Sequence, residues 1–307
     1  MTMKAAVIGV GHLGRHHARI LSSLPDVSLA GVVDVDGDRA AQVAAEYGTT
    51  PSGDVSALGP LDLVVIATPT EQHSALATPL LESGVHVLIE KPIAATLEEA
   101  DSLIAVAARS GATLAVGHSE RFNPAVAAAR PFIKDPRFIE VHRLGTMPGR
   151  SLDIDVVLDL MIHDLDLILS IVPSQVDTVE AVGVPVLTPK IDIANARVRF
   201  KNGCIANLTA SRISKEQVRK IRFFQQERYI SIDSAAKEVE MFELVPQAGG
   251  VPKIGGGKQK VEGEEPLRSE LVDFVAAVRE RRAPAVTGEQ GRAALALAVR
   301  IVELMRQ

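Results

Sequence analysis

The stretch VVLDLMIHDLDLIL, Val156 to Leu169, holds Asp159, His163, Asp164 and Asp166 among residues that are otherwise apolar. A histidine titrates near neutral pH without adjustment, which suits it to take or give a proton. On an α-helix Asp159 and His163 share one face and Asp166 is roughly in line with them, while Asp164 is turned aside by about 100°. Asp164 is then expected to meet a neighbouring backbone or solvent. Two carboxylates and one imidazole are also a set that a divalent metal accepts. The chain offers no obvious outside ligand, and so apolar a surround predicts a buried acid–base pair whose partner is substrate, with Asp166 in support.

A second candidate follows an apolar run: VLIEKP, with Glu90, Lys91 and Pro92 at its end. A lysine at the carboxyl end of a parallel strand sits in the crevice where open α/β sheets bind ligands. Lysine can serve there as a base if its pKa is lowered, or as a positive charge beside a developing anion.

A cofactor is suggested near the start of the chain. AVIGVGHLGRHHARIL spaces Gly9, Gly11 and Gly14 as GxGxxG after a strand and before a helix, with His12 and Leu13 between them. That order fits a dinucleotide: a tight turn, a close approach of backbone to pyrophosphate, and close packing of helix on strand. Asp34 ends the second strand, twenty residues beyond Gly14, where a carboxylate accepts hydrogen bonds from the adenosine ribose. Asp34 repels a 2′-phosphate and so favours NAD over NADP, although Arg39 nearby can stack on adenine or receive a phosphate. His12, His16 and His17 crowd the helix start; a helix N-terminus disfavours cations, so solvated or cofactor-adjacent histidines are expected and no metal.

These residues need a scaffold. Apolar runs at Lys4–Val10, Ser28–Asp34, Asp62–Thr68, His86–Glu90 and Thr113–Gly117 alternate with helical patterns, which predicts a doubly wound α/β domain over residues 1–120. Leu13, Ile20, Leu21 and Leu24 mark the buried face of the first helix. Residues 121–307 predict an α+β domain with a large, mainly antiparallel sheet, from runs at Phe138–Gly145, Ile191–Phe200, Cys204–Ile213, Val218–Gln225, Tyr229–Ile232 and Val239–Leu244. Asn202-Gly203 is a hairpin signal. Pro246–Pro266, rich in Gly, Lys and Pro, reads as a mobile loop, a solvated hairpin tip rather than a lid over an anionic substrate, and helices at Leu267–Arg281 and Gly288–Met305 end the chain.

At 307 residues and 47% hydrophobic content both domains can build a core, and no apolar run is long enough for a membrane span. Lys and Arg number 33 against 38 Asp and Glu, so nucleic acid and anionic membranes are not expected partners. Cys204 is the only cysteine, which excludes an internal disulfide and, with no export leader read at the start, predicts a cytoplasmic protein with Cys204 buried. An apolar outer face of the second sheet would predict a homodimer or homotetramer.

The glycine-rich start, VVIATPTEQH, VLIEKPIAAT and DLMIHDLD together resemble the Gfo/Idh/MocA family of oxidoreductases over nearly the whole chain. The resemblance places Thr68, Pro69 and His73 near the nicotinamide half of the cofactor, with Glu90 and Lys91 beside the reacting carbon. It makes Lys91 and His163 the catalytic pair, with Asp159 beside them, in a reaction that needs no metal. ERFNP, within Gly117–Val126, and DVVLDLMIHDLDLIL look most like the nucleotide-sugar branch, whose members oxidise the 3-hydroxyl of UDP-N-acetylglucosamine or its uronic acid. On that reading His118, Arg121 and Asn123 approach substrate, and Arg121, Arg143 and Arg150 are candidates for its diphosphate. The chain has DIDVV where many members carry a glycine pair, which counts against a free-polyol enzyme; Asp153 and Asp155 there either meet sugar hydroxyls or cap the helix, Asp155 suiting the N-cap. The alternatives are a free-sugar or inositol dehydrogenase, a redox-neutral glycosidase that keeps NAD bound, and a non-catalytic dinucleotide sensor.

Overall fold

The computed structural model describes residues 2–146, 154–247 and 250–306. From the amino end run β1 (Met3–Ile8), α1 (His12–Ser23), β2 (Val27–Val33), α2 (Gly37–Tyr47), β3 (Thr50–Ser52), β4 (Leu63–Ile66), α3 (His73–Glu82), β5 (His86–Glu90), α4 (Leu97–Ser110) and β6 (Leu114–Gly117). Next come α5 (Pro124–Ala129), β7 (Phe138–Leu144), a π-helical turn (Val157–Met161) that runs into α6 (Ile162–Ile171), then β8 (Val176–Val184), β9 (Ile193–Phe200) and β10 (Ile205–Ser211). The chain ends with β11 (Val218–Gln225), β12 (Arg228–Asp233), β13 (Glu238–Val245), β14 (Lys253–Lys260), α7 (Pro266–Glu280) and α8 (Gly288–Met305). Contacts divide it into two compact units, residues 1–119 with 267–292 and residues 120–266 with 293–307. The second crossing, which gives α7 to the first unit, is not contained in a single boundary near 120.

The first unit is a six-stranded sheet in the order β3-β2-β1-β4-β5-β6, every pair parallel. β1, β4, β5 and β6 are buried on both faces, which is why they read as continuous apolar runs rather than alternations. One face packs on Ala18, Ile20 and Leu21 of α1, Val43 and Ala44 of α2, and Leu271, Phe274 and Val275 of α7. β3 escaped the sequence reading because three residues, one of them Pro51, carry no periodicity. Leu13 is 38% exposed, so the buried face of α1 is instead Gly14, His17, Ala18, Ile20 and Leu21.

The second unit is an eight-stranded sheet, β14-β13-β12-β11-β7-β10-β9-β8, antiparallel except where β7 and β10 run together. Alternate residues such as Ile139, Val141, Ala196, Val198, Leu208, Phe223 and Ile230 form one core with α5, α6 and the later turns of α8. Gly203, at φ +86, turns the β9–β10 hairpin as Asn202-Gly203 predicts. Two strands were not expected. β8 flanks β9, and β14 occupies part of the presumed loop, paired residue for residue with β13. β14 lacks an apolar alternation because it is an edge, where glycine and lysine are tolerated and Lys258 meets Glu238 at 2.5 Å. On the face away from the core, Phe138, Phe224, Tyr229 and Phe242 form a cross-strand row with centroids 5.5, 5.2 and 6.3 Å apart.

Between β8 and β9 the chain is held by one buried carboxylate. Asp192 Oδ2 accepts the amides of Val186, Leu187 and Thr188 at 2.9, 2.6 and 2.9 Å, and the Thr188 hydroxyl donates to Oδ1 at 2.7 Å. Burial works against the charge, but the Leu187 amide, the Thr188 hydroxyl and amide and the Val186 amide outweigh it and push the carboxyl down to about 2. A depressed pKa stabilises the fold above the ordinary value of 3.8, and that stabilisation is lost as pH falls toward about 2. Asp192→Asn should therefore lower the urea midpoint at neutral pH and flatten its fall across that acid window. A midpoint with the parent's acid slope would refute this assignment.

Candidate functional site

In the first unit every side chain singled out lies at the carboxyl edge of the parallel sheet. Gly9 follows β1 at φ +82, and a Cβ there would stand 2.8 Å from the carbonyl oxygen of Ala67. A Cβ on Gly14 would overlap the carbonyl oxygen of Gly9, so α1 rests directly on the turn. Gly11 is different: a Cβ there would meet only Arg39 Nη1, at 3.9 Å. Packing within the fold therefore does not require that glycine. Gly11 stands at the N-cap with no side chain capping the helix, and the helical ladder begins with Arg15 N–H donating to Gly11 oxygen. The first-turn amides of His12, Leu13 and Gly14 lie ahead of that ladder, the arrangement that receives phosphate.

Asp34 is buried, and its Oδ2 and Oδ1 accept the amides of Val10 and Asp36, each at 2.9 Å. The carboxylate thus ties the end of β2 to the glycine turn. Arg39 reaches Asp36 at 2.8 Å and Asp34 at 3.4 Å, so its charge is turned toward these acids.

After β4, Thr68 is half-buried and its Oγ1 has no hydrogen-bond partner among the described residues. His73 is buried with Nε2 2.9 Å from the Thr68 carbonyl oxygen and Nδ1 3.0 Å from that of Pro92. Its ring spans the chain segments after β4 and β5 and holds Pro69 and Lys91 between fixed points. Burial lowers its pKa, against the opposing effect of the two carbonyls and the Glu90 charge.

At the end of β5 Glu90 is 7% exposed. Its Oε2 accepts the Lys91 amide at 3.2 Å and its Oε1 lies 2.8 Å from His17 Nε2. Lys91 itself is half-buried. His17 is fully buried, which rules out the solvated placement among the two expected for it. The signal was available, because position 17 falls between Gly14 and Leu21 on the buried face of α1.

In the second unit the helix opens with a π-turn, in which Ile162 N–H reaches back to Val157 oxygen. Asp159 lies within that turn, whereas His163 and Asp166 lie in the regular helix after it. Asp159 and His163 are both half-buried. Asp164 and Asp166 are buried, and each faces an arginine. Arg121 Nε and Nη2 meet Asp166 at 2.6 and 2.5 Å; Arg143 Nε and Nη2 meet Asp164 at 2.7 and 2.8 Å, with Glu120 at 3.4 Å. Asp164 is therefore paired rather than turned to backbone or solvent.

The diphosphate role considered for Arg121 and Arg143 meets a competing carboxylate in each case. Burial works to lower the Arg143 pKa, but the Asp164 and Glu120 charges raise it on balance and keep it cationic. Asn123 is buried, its Oδ1 capping α5 through the Ala125 amide and its Nδ2 donating to the Ser234 carbonyl, so both ends of the side chain are engaged by the fold. The Asp155 carboxylate accepts the Ile191 amide and approaches Arg306 rather than capping the helix; only its carbonyl receives the first helical amides. His118 is buried at the end of β6. Arg150 and Asp153 lie outside the described residues. Among the described residues no cluster of histidine, cysteine and carboxylate could hold a metal ion.

Residues 3–118 match the oxidoreductase family with an NAD-binding Rossmann fold, and residues 149–230 match the GFO/IDH/MocA C-terminal domain. The chain is 41% identical, over 97% of its length and 96% of the relative's, to a UDP-N-acetylglucosamine 3-dehydrogenase of Acidithiobacillus ferrooxidans. A solved structure of the enzyme of that name from the same organism superposes with a TM-score of 0.93 at 39% identity, covering 100% of both chains. A scyllo-inositol 2-dehydrogenase (NAD+) of Bacillus subtilis is 28% identical over 69% of this chain and 68% of its own.

Arg143 gives a direct check on its role in the fold. Arg143→Met leaves Asp164 buried without its partner and should cost about 3–5 kcal/mol in chemical denaturation, most of it recovered when Asp164→Leu is added. A single variant of parental stability would show that the pair does not hold α6.

Proposed function

Since the chain belongs to the GFO/IDH/MocA family of NAD-binding oxidoreductases, we propose that it oxidises the 3-hydroxyl of a UDP-N-acetylhexosamine, most directly UDP-N-acetylglucosamine, to the 3-oxo sugar. The observation that carries this reading is the 41% identity, running through both domains, to a relative with that named activity. The dinucleotide supplies the hydride acceptor when bound. The residues present fit it: the open space at Gly11, the uncapped start of α1 and the buried Asp34 answer to pyrophosphate and ribose, and Asp34 favours NAD over NADP by repelling a 2′-phosphate.

Lys91 and His163 are assigned to the substrate hydroxyl. As hydride leaves the carbon, one takes the hydroxyl proton and the other steadies the oxygen, with Asp159 orienting the sugar. Thr68 and Pro69 are assigned to the nicotinamide half of the cofactor, where the Thr68 hydroxyl, which has no hydrogen-bond partner among the described residues, would serve as a donor or acceptor. Arg121 and Asn123 are assigned to shaping the substrate side through Asp166 and α5 rather than to gripping the diphosphate, and Arg150 is the remaining candidate for it. A cytoplasmic enzyme fits an NAD-dependent reaction and a single buried cysteine.

The aromatic row on the outer face of the second sheet supports a homodimer or homotetramer. Phe224 and Phe242 are over a third exposed, and Leu244 and Ile254, paired across β13 and β14, extend the apolar surface. Beside the row Arg222 pairs with Glu140 at 2.7 Å, giving a polar margin.

A panel of UDP-sugars and free polyols, followed by NADH absorbance, tests the substrate. Turnover is expected with UDP-N-acetylglucosamine, and Lys91→Ala and His163→Ala should each lower kcat by about 10²- to 10⁴-fold. Turnover of free inositols alone would replace this reading with that of the Bacillus relative. For the assembly, light scattering should find Phe224→Asp with Tyr229→Asp reduced to a monomer; an unchanged mass would exclude this face as the interface.

A further inference from the structure

The mechanism above leaves the buried pair at the root of Lys91 without a task. His17 is fully buried, and its Nε2 reaches the Glu90 carboxylate at 2.8 Å. Its other ring nitrogen, Nδ1, has no hydrogen-bond partner among the described residues. A phenylalanine would fill such a hole without stranding a polar atom, so the one polar contact that His17 makes is the one that needs explaining. On the opposite side of Glu90, a Cβ on Gly117 would stand 3.1 Å from Oε2, so the carboxylate is confined between β6 and α1. Oε2 in turn accepts the Lys91 amide.

We propose that His17 is a positioning residue: by holding the Glu90 carboxylate it fixes the backbone at Lys91, and it joins the helix that starts at the glycine turn to the lysine at the end of β5. The inference rests on the reading of Lys91 as the residue that serves the substrate hydroxyl. The route is short. Gly14 lets α1 lie on the turn, His17 stands one helical turn further on the same face, and Glu90 links that face to Lys91. His73 fixes the next residue from the other side through the Pro92 carbonyl. A dinucleotide that seats on the start of α1 thereby bears on the same rigid connection that sets the lysine.

The groups that face Glu90 are His17 from α1, Lys91 beside it and His73 from α3. Burial alone would raise the Glu90 carboxyl, but the hydrogen bond and charge of His17, with the charge and amide of Lys91, hold it below the usual carboxylate range. Without His17 the carboxylate is buried with its main support gone, and it takes up a proton at a higher pH than in the parent.

The test compares His17→Phe, His17→Gln, Glu90→Gln and the Phe–Gln double variant. His17→Phe should lower kcat by roughly a hundredfold with little change in KM for the nucleotide sugar, as expected when a catalytic group is displaced rather than a binding surface lost. Its kcat should also fall away on the acid side at a higher pH than the parent's. His17→Gln, which keeps a donor, should recover part of the rate, and the double variant should be no slower than Glu90→Gln. Infrared spectra without substrate should show a protonated carboxyl band in His17→Phe that the double variant lacks.

An acid limb and infrared spectrum like the parent's, or kcat, KM and melting temperature that decline together with no rescue by glutamine, would overturn the proposal. Should His17→Phe fail to fold, the glutamine variants decide by the same pH and infrared criteria. Absence of any sugar turnover by the parent would sink the functional reading instead, while the infrared band still reports on the contact of His17 with Glu90.

Discussion

The approach of α1 to the end of β1 is the contact from which the first unit is built. At Gly14 even a methyl group would overlap the Gly9 carbonyl, so any other residue lifts the helix off the turn. Lifting it would move the first-turn amides from the place where they can meet phosphate, and would draw His17 away from Glu90. Asp34 secures the same corner from β2 by accepting the Val10 amide. A parallel sheet puts the carboxyl ends of all its strands at one edge, and here the glycine turn, Asp34, Thr68, Glu90 and Lys91 are linked there by hydrogen bonds rather than merely set side by side.

The second unit solves a different problem. Its helix α6 is apolar on most sides yet carries acids, and a buried carboxylate is tolerated only with a partner. Arg143 and Arg121 provide one each, in bidentate geometry, from β7 and from the turn ahead of α5. Asp164 and Asp166 are committed in this way, whereas Asp159 and His163 are only half-buried. They lie where a π-turn gives way to an α-helix, an irregularity that recurs at functional sites because it re-aims side chains at the cost of a regular ladder.

Much of this was legible in the residues. The glycine spacing, the acid at the end of β2 and the lysine after β5 are local signals, each tied to a strand end, and the structure places them at one edge as their order implies. The class of the second domain followed from alternation, and its hairpin from Asn202-Gly203. What could not be read were partners brought together by the fold. Arg121 and Asp166 are far apart in sequence, as are His17 and Glu90, and no periodicity announces such pairs. From the chain alone the arginines read as diphosphate candidates or surface residues, and the histidines as solvated or cofactor-adjacent. β14 was missed for another reason: an edge strand of glycine and lysine is specified by its neighbour's backbone, not by its own pattern.

The central claim is that hydride leaves one particular carbon of a nucleotide sugar for the bound dinucleotide. UDP-N-acetylglucosamine carrying deuterium at C3, incubated with NAD+ and the enzyme, tests it most directly. Mass and NMR analysis of the nicotinamide should find the deuterium transferred to the reduced cofactor, with loss of the label from the sugar. Reduced cofactor free of deuterium, formed while the C3 label stays on the sugar, would contradict the account.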